Sequence, residues 1–515
     1  MMEINNLKIT KKINDRVLVD NLNLVVHKND KIAIIGEEGN GKSTLLKCFY
    51  NVNLINDYCN ISGTIKCNEK LGYLEQTLDE RWNNEEVINY FLKDSVESEI
   101  DYSKYNEIDN IYSLFSELNI SREIIDSNRL FSTLSGGEKV KIQLIKLLLN
   151  KVDILLLDEP SNDLDLETLQ WLETFISNYN KAIIFISHDE TLLENTCNTV
   201  IHLEQIMKKT EARITIKRLD YNSYINERFN LIERQNNIAN KEKEQFNEKM
   251  DKWRQIYQRV DHEQATISRQ DPHGGQLLKK KMHSVKAMEK KLVKEKESLT
   301  KTVDTEDCIN ISFNYNVLLP KSKVIYNETL NKLMVSNKLL SQNIKLTIKA
   351  QDHIVIVGKN GVGKTTYLKH IYNNLKNSNL KIGYMPQNYD ERLEGNKNVL
   401  DYICNSKDKD NITLAMTFLG SLKFSEEEMY GKISELSGGQ KAKLLLIKLI
   451  LDKCEVLVLD EPTRNLSPLS NPVIRKILSN YKGCIISISH DRKYIKEVST
   501  NIYELSKDGL KEIFL

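Results

Sequence analysis

Residues 36–43 read Gly36-Glu37-Glu38-Gly39-Asn40-Gly41-Lys42-Ser43, preceded by a strand-like stretch at 25–35 and followed by the helical Thr44-Leu45-Leu46-Lys47. Strand before and helix after is the setting in which Gly36, Gly39 and Gly41 let backbone N–H groups close around phosphate oxygens. Lys42 then reaches the β- and γ-phosphates, and Ser43 offers a hydroxyl to Mg²⁺, with Thr44 next to it at the helix start. The side chains of Glu37 and Glu38 are unfavourable so near a triphosphate and are expected to point outward. Farther along, Leu134-Ser135-Gly136-Gly137-Glu138 opens a helix rich in Lys and Leu, and Ile154-Leu155-Leu156-Leu157-Asp158-Glu159-Pro160 is a buried strand ending in two carboxylates. Such a strand sets Asp158 beside Mg²⁺ and puts Glu159 where it can polarise an attacking water. A lone Asp-Glu pair would read as a solvated strand end. Here a further apolar strand, Ile183-Ile184-Phe185-Ile186, ends in Ser187-His188-Asp189 and supplies a third chemical group.

The set occurs twice. Gly358-Lys359-Asn360-Gly361-Val362-Gly363-Lys364-Thr365 with Thr366, then Gln387, Leu436-Ser437-Gly438-Gly439-Gln440, Asp460-Glu461-Pro462 and His490 repeat it. The offsets Ser135/Ser437, Asp158/Asp460 and His188/His490 are all 302 residues, a register that marks an internal duplication.

With Gln76 after the Gly-Tyr-Leu-Glu strand end and Ser161-Asn162-Asp163-Leu164-Asp165 after Glu159, the set resembles an ATP-binding cassette (ABC) ATPase domain. The resemblance implies ATP and Mg²⁺ as cofactors and a head-to-tail pair in which one domain's signature closes over nucleotide held by the other. One site would combine Lys42, Ser43, Gln76, Asp158, Glu159 and His188 with Ser437, Gly438 and Gly439. The other would combine Lys364, Thr365, Gln387, Asp460, Glu461 and His490 with Ser135, Gly136 and Gly137. Glu159, Glu461, His188 and His490 are the implied catalytic groups, while Ser43, Asp158, Thr365 and Asp460 are the implied Mg²⁺ ligands. ABC domains usually stack adenine on an aromatic residue, yet 7–19 and 333–344 contain none, which leaves ATP against GTP open. In the second copy Thr463-Arg464-Asn465-Leu466-Ser467-Pro468 replaces Asp165 with Ser467, so a loop expected to cross to the other site has lost a carboxylate.

Between the copies lies a stretch that resembles neither. Ile225, Phe229, Ile232, Asn236, Ala239, Lys243, Phe246, Met250, Trp253, Tyr257 and Val260 step by four and three, as do Leu278, Met282, Val285, Glu289, Leu292, Lys296, Leu299 and Val303. Pro272, Gly274 and Gly275 separate the two seams, which predicts two long helices folded back as an antiparallel hairpin, the first reaching roughly 50 Å. The stretch 249–296 carries 13 Lys/Arg against 6 Asp/Glu although the whole chain has a net charge of only +1, so a polyanionic partner is favoured over a plain spacer. Arg259, His262, Arg269, His273, Lys279, Lys280 and Lys281 are the candidate RNA contacts near the tip, with Tyr257 or His273 available for stacking.

The predicted fold is α/β: two P-loop ABC ATPase domains, 1–221 and 307–515, joined by a long antiparallel helical hairpin at 222–306. This architecture resembles the ABC-F family. The resemblance implies a cytoplasmic monomer with intramolecular cassette pairing that binds the bacterial ribosome at the E-site and pushes its hairpin toward peptidyl-tRNA, rRNA and the peptidyl-transferase centre. The loop at 463–468 and the lack of an extra arm insertion resemble the antibiotic-resistance branch, with a housekeeping translation factor as the alternative. A transporter ATPase subunit would leave the hairpin unexplained, and a coiled-coil DNA-repair ATPase would need far longer coils. A non-catalytic scaffold fits poorly because both Glu159 and Glu461 are present. No apolar run approaches the ~20 residues that span a bilayer, and the N-terminal Met-Met-Glu-Ile-Asn-Asn lacks a signal-peptide pattern. The eight cysteines contain no C-x-x-C pair, so neither a disulfide framework nor a zinc site is expected.

Overall fold

The computed structural model describes residues 1–206, 211–266, 272–300, 319–335, 338–404 and 409–514. It divides into one compact unit formed by Met1–Tyr221 with Ile309–Leu515, and a second formed by Asn222–Cys308.

The first unit contains both cassettes. In the first cassette a six-stranded sheet runs Leu71–Leu74, Ile154–Asp158, Ala182–Ile186, Lys31–Gly36, Thr199–Ile206, Glu211–Lys217, parallel except at the last edge. The second cassette repeats the order with Ile382–Met385, Val456–Asp460, Cys484–Ile488, His353–Val357, Asn501–Ser506 and Gly509–Ile513. The central strands are apolar without alternation because both of their faces are covered. An antiparallel layer of Val17–Val26, Met2–Lys11 and Cys59–Cys67 covers one side in the first cassette. Ile4, Leu22 and Leu24 from that layer share a core with Ile32, Ile34, Leu45, Leu46 and Ile184. Each such fully buried aliphatic contributes ~1.5–3 kcal/mol relative to exposure. Val324–Val335 and Lys338–Lys349 form the corresponding pair in the second cassette.

Register then gathers the chemistry. Ile186 is paired with both Ile34 and Asp158, so the loop after Gly36, the carboxylates after Leu157 and His188 all emerge at the carboxyl edge of three adjacent strands. Ile488 pairs with Ile356 and Asp460 in the same way. Between Gln76 and Ser135, Trp82, Val87, Phe91, Ile111, Phe115 and Phe131 close a separate small helical core against Ile142 of the helix that follows.

The second unit is helical. Tyr221–Thr266 is one helix of 46 residues, ~70 Å long at ~1.5 Å per residue and longer than the seam alone predicts. The returning helix, Pro272–Ser298, starts earlier than expected. Pro272, Gly274 and Gly275 belong to its first turn and do not form the break; proline fits a first helical position because its missing N–H would have no intrahelical partner. Residues 267–271 lie outside the described residues. Ala239, Phe246, Val260, Leu278, Met282, Val285 and Leu292 are buried along the predicted seam, whereas Phe229 is 53% exposed and leaves it. Trp253 Nε1 donates to the Val285 carbonyl at 3.1 Å, and Lys249 pairs with Glu295, which fixes the two helices side by side.

Candidate nucleotide sites

Gly36 ends the central strand at φ 148°, and a Cβ there would lie 2.4 Å from the Leu203 carbonyl; Gly358 at φ 145° meets Leu505 at the same distance. No other residue type fits so close an approach. Beyond these turns Lys42 Nζ donates to the Gly36 and Glu37 carbonyls at 3.0 and 3.2 Å, and Lys364 Nζ to Gly358 and Lys359 at 2.7 and 3.1 Å. Burial pulls both ammonium groups below the usual lysine range, opposed by Glu159 in one site and Glu461 in the other. Ser43 Oγ donates to Asp158 Oδ1 at 2.9 Å and Tyr73 OH to Oδ2 at 3.0 Å. Thr44 follows in the helix Lys42–Tyr50.

The two glutamates share a backbone and differ in surroundings. Glu159 and Glu461 both sit at left-handed φ, 50° and 54°, a conformation that non-glycine residues rarely adopt and that recurs at functional sites. Glu159 Oε2 accepts from Gln76 Nε2 at 2.8 Å and Asn162 Nδ2 at 2.5 Å, and Oε1 lies 3.4 Å from His188 Nε2. Burial alone would raise this carboxyl, but hydrogen bonding and charge from His188, with Lys42 and Asn162, outweigh it and hold the group down to about 2. Glu461 is pushed up to about 8 by burial and by the neighbouring Asp460. His490 is lowered to about 4 by burial and then by the Lys364 charge, so its ring is neutral at pH 7.

These shifts carry opposite signs for stability. Glu461 keeps its proton in the folded state well above its unfolded value, so its contribution is complete below pH 4.5 and is lost as pH rises toward 8. Glu159 is the reverse: its contribution is complete above pH 4.5 and is lost as pH falls toward 2. Without nucleotide, E461Q should therefore melt progressively higher than wild type between pH 5 and 8.5, while E159Q melts lower at pH 7 and converges with wild type in acid. Parallel melting curves for E461Q and wild type across that range would contradict the assignment.

Across the cassettes, a cavity of about 650 Å³ brings Gly136 of the first signature together with Lys364, Thr365, Thr366, Gln387, Asp460, Glu461 and His490 of the second cassette. Val335, Lys338 and Leu340 line the same cavity, giving the loop an aliphatic neighbour where an aromatic is usual; Leu18 packs correspondingly near Gly41. Asp165 caps the helix Leu166–Asn178 by accepting from Thr168 N at 3.0 Å, and its charge reaches Lys364 and His490 of the opposite cassette. Ser467, its counterpart, bonds Ser470. In the reverse direction His188 Nδ1 lies 2.7 Å from the Leu466 carbonyl, and Arg464 pairs with Asp163 at 2.8 Å.

At the first loop the outward expectation for Glu37 and Glu38 is overturned. Glu38 Oε2 accepts from Gly439 N of the second signature at 2.6 Å, and Glu37 Oε1 lies 3.4 Å from Lys443 Nζ. The physical reason is local: the signature helix presents unpaired N–H groups and a lysine directly opposite the loop.

Several contributors went unrecognised in the sequence. Ser135 and Ser437 each close a capping box with Glu138 and Gln440, a pattern readable as Ser-x-x-Glu/Gln. Tyr73 and Asn162 stand in stretches that the sequence singles out, the Gly-Tyr-Leu-Glu strand end and 161–165, but no role falls to either from sequence alone; Asn162 stands three residues after Glu159 and shares its turn. In the hairpin unit Lys279 and Lys280 are exposed, Arg259 bonds Glu263 at 3.3 Å, and Lys281 lies 3.9 Å from the same carboxylate. His262 is exposed; Arg269 and the side chain of His273 lie outside the described residues. Tyr257, partly buried, packs on Trp253 and the Val260, Met282 and Val285 cluster as a seam residue.

The residues fit ATP with Mg²⁺. Asp460 Oδ2 and Glu461 Oε1 are buried without a hydrogen-bond partner, the kind of oxygen a cation or polarised water satisfies, and a Cβ at Gly39 or Gly361 would meet nothing within 4 Å.

Comparison with known proteins gives the family and the fold. The family model described as ABC transporter matches residues 19–162 and 341–464. ATP-binding protein Uup of Buchnera aphidicola subsp. Acyrthosiphon pisum is 30% identical over 502 residues, covering 94% of this chain and 77% of that protein. Putative ATP-binding protein YdiF of Bacillus subtilis is 28% identical, covering 99% and 81%, and ABC transporter F family member 2 of Arabidopsis thaliana 26%, covering 95% and 74%. In three dimensions the complex of archaeal ribosomal stalk protein aP1 with archaeal ribosome recycling factor aABCE1 shares the fold at TM-score 0.58 and 16% identity, covering 99% of this chain and 90% of that one. Fold and site thus define a tandem ATP-binding cassette ATPase. The chain belongs to the ABC-F family. Among the described residues no helix is long and apolar enough to cross a membrane.

Proposed function

We propose that this ATPase binds the bacterial ribosome at the E-site and directs its interdomain hairpin toward peptidyl-tRNA and the peptidyl-transferase centre, protecting that centre from large-subunit antibiotics such as lincosamides, pleuromutilins and streptogramins A. The observation that carries the reading is a basic two-helix hairpin placed in the chain between two cassettes whose active-site loops face each other. A ribosome-bound archaeal Pelota and ABCE1 model shares the tandem-cassette fold at TM-score 0.56 and 17% identity, which supports the choice of partner.

Lys42, Ser43, Gln76 and Asp158 would hold one nucleotide and its Mg²⁺, and Lys364, Thr365, Gln387 and Asp460 the other. When bound, ATP supplies the phosphoanhydride whose hydrolysis drives the cycle. Glu159, already ionised, orients the attacking water and draws its proton; Glu461 takes the same part once it has lost the proton that burial and Asp460 hold on it, and His188, seated on the Leu466 carbonyl, ties that act to the position of the opposite cassette. Loops that cross between cassettes couple nucleotide state to cassette pairing, and the hairpin, joined to both, converts pairing into a position of its tip.

Reversing charge at Lys279, Lys280 and Lys281 together is expected to weaken ribosome binding and to reduce its salt dependence by up to about three in log–log slope, with an unchanged melting temperature. Equal binding of variant and wild type across a salt series would reject the RNA-facing role. Growth of a susceptible bacterium expressing the chain against peptidyl-transferase inhibitors tests the protective output. Ribosome binding without a shift in any inhibitory concentration would mark a housekeeping translation factor.

A further inference from the structure

The two composite faces are built differently, and the difference sits at one position of the phosphate loop. In the second loop Asn360 Nδ2 donates to the Asp163 carbonyl at 2.5 Å, and Gly136 of the opposing signature lines the cavity of about 650 Å³. The aligned position of the first loop is Glu38. Its Oε2 accepts from the Gly439 amide at 2.6 Å, and its Oε1 is 3.3 Å from where a Cβ on Gly438 would stand. The space lined by Glu37, Glu38, Gly439 and Lys443 measures about 20 Å³. Gly438 and Gly439 open a 14-residue helix, whose first amides and dipole favour an anion. The helix therefore already holds one, and it comes from the chain itself. Lys443 beside Glu37 adds a second cross-cassette contact of the same sign pattern.

We infer that Glu38 is a positioning residue that makes the two ATP sites unequal. Its carboxylate takes the seat on the second signature that a nucleotide phosphate would otherwise share, so the first site docks its two halves without nucleotide. The second site, with Asn360 in the same place, touches the Asp163 carbonyl and sets no carboxylate against its signature, which is left to the nucleotide. Two consequences follow from charge alone. ATP entering the first site meets Glu37 and Glu38 and must displace the Glu38 contact, which weakens binding there. The second site carries no such competition, and it fills first as nucleotide concentration rises. This inference deepens the head-to-tail ATP reading above and rests on it.

Calorimetric titration of ATP with Mg²⁺ into full-length E159Q/E461Q protein tests the assignment. Two classes of site are expected, separated by about tenfold or more in Kd. Adding E38N, or E38Q, which keeps the shape and removes the charge, should tighten the weaker class and bring the two within about threefold. The reciprocal N360E should weaken the tighter class. Loss of packing alone would lower melting temperature without exchanging the two affinities in this manner. Two equal classes in the parent, or a gap untouched by both E38N and E38Q, overturns the inference and leaves the ATP reading standing. Failure of the parent to bind ATP at all would overturn both.

Discussion

The E159Q/E461Q protein is expected to hydrolyse ATP ~10²- to 10⁴-fold more slowly than wild type while still binding it. The exchange preserves shape, and a glutamine oxygen can still accept from Gln76 and Asn162, as Glu159 Oε2 does at 2.8 and 2.5 Å. It removes the capacity to draw a proton from water, the role proposed for both glutamates, which share a left-handed backbone position. Lys42, Ser43, Lys364 and Thr365 are untouched, so binding survives. Steady-state phosphate release alongside equilibrium nucleotide binding measures the two quantities separately. Turnover within about fivefold of wild type would remove both glutamates from the chemical step.

R475M is expected to lower stability by ~3–5 kcal/mol. Arg475 of the second cassette is 3% exposed and grips Glu190 of the first, 5% exposed, through two contacts of 2.6 and 3.2 Å. Its Nε meets Glu497 at 2.8 Å, while Lys493 reaches Glu190 at 3.2 Å and Arg492 reaches Glu173 at 2.8 Å. Burial raises the Glu190 carboxyl and the guanidinium opposes it, so removing Arg475 leaves a buried carboxyl with Lys493 as its remaining cation among the described residues. Neutralising both partners as R475M/E190L should recover much of the loss, because the penalty comes from the stranded charge. Thermal melting of the two proteins against wild type checks this. An R475M melting temperature within about 1 °C of wild type would show that this ion cluster does not hold the cassettes together.

The loops, carboxylates and histidines of both sites were legible in the sequence because each is forced by local chemistry: glycine where a carbonyl approaches within 2.4 Å, lysine in a phosphate cradle, an apolar strand delivering Asp158 or Asp460 to its end. Facing surfaces were not legible. Nothing local in Glu38 says that Gly439, 401 residues away, will stand opposite it, and the same holds for Arg475 and Glu190. The unlike titration of Glu159 and Glu461 has a similar origin. His188, Lys42 and Asn162 favour the charge on Glu159, while burial and Asp460 disfavour it on Glu461, and identical motifs cannot encode that. In the hairpin, the period of apolar residues located the seam, but Gly274 and Gly275 misplaced the start of the second helix because a proline that opens a helix resembles one that ends it. The period of apolar residues places Tyr257 on the seam, and its packing against the Val260, Met282 and Val285 cluster agrees with that.

Co-sedimentation of E159Q/E461Q with bacterial 70S ribosomes, with and without ATP and Mg²⁺, bears most directly on the claim that nucleotide-paired cassettes aim a basic hairpin at the ribosome. The variant is expected to pellet with ribosomes in ATP, to be released when nucleotide is withdrawn, and to exceed wild type under the same conditions. Equal amounts of variant and wild type in the pellet, with and without ATP, would contradict it.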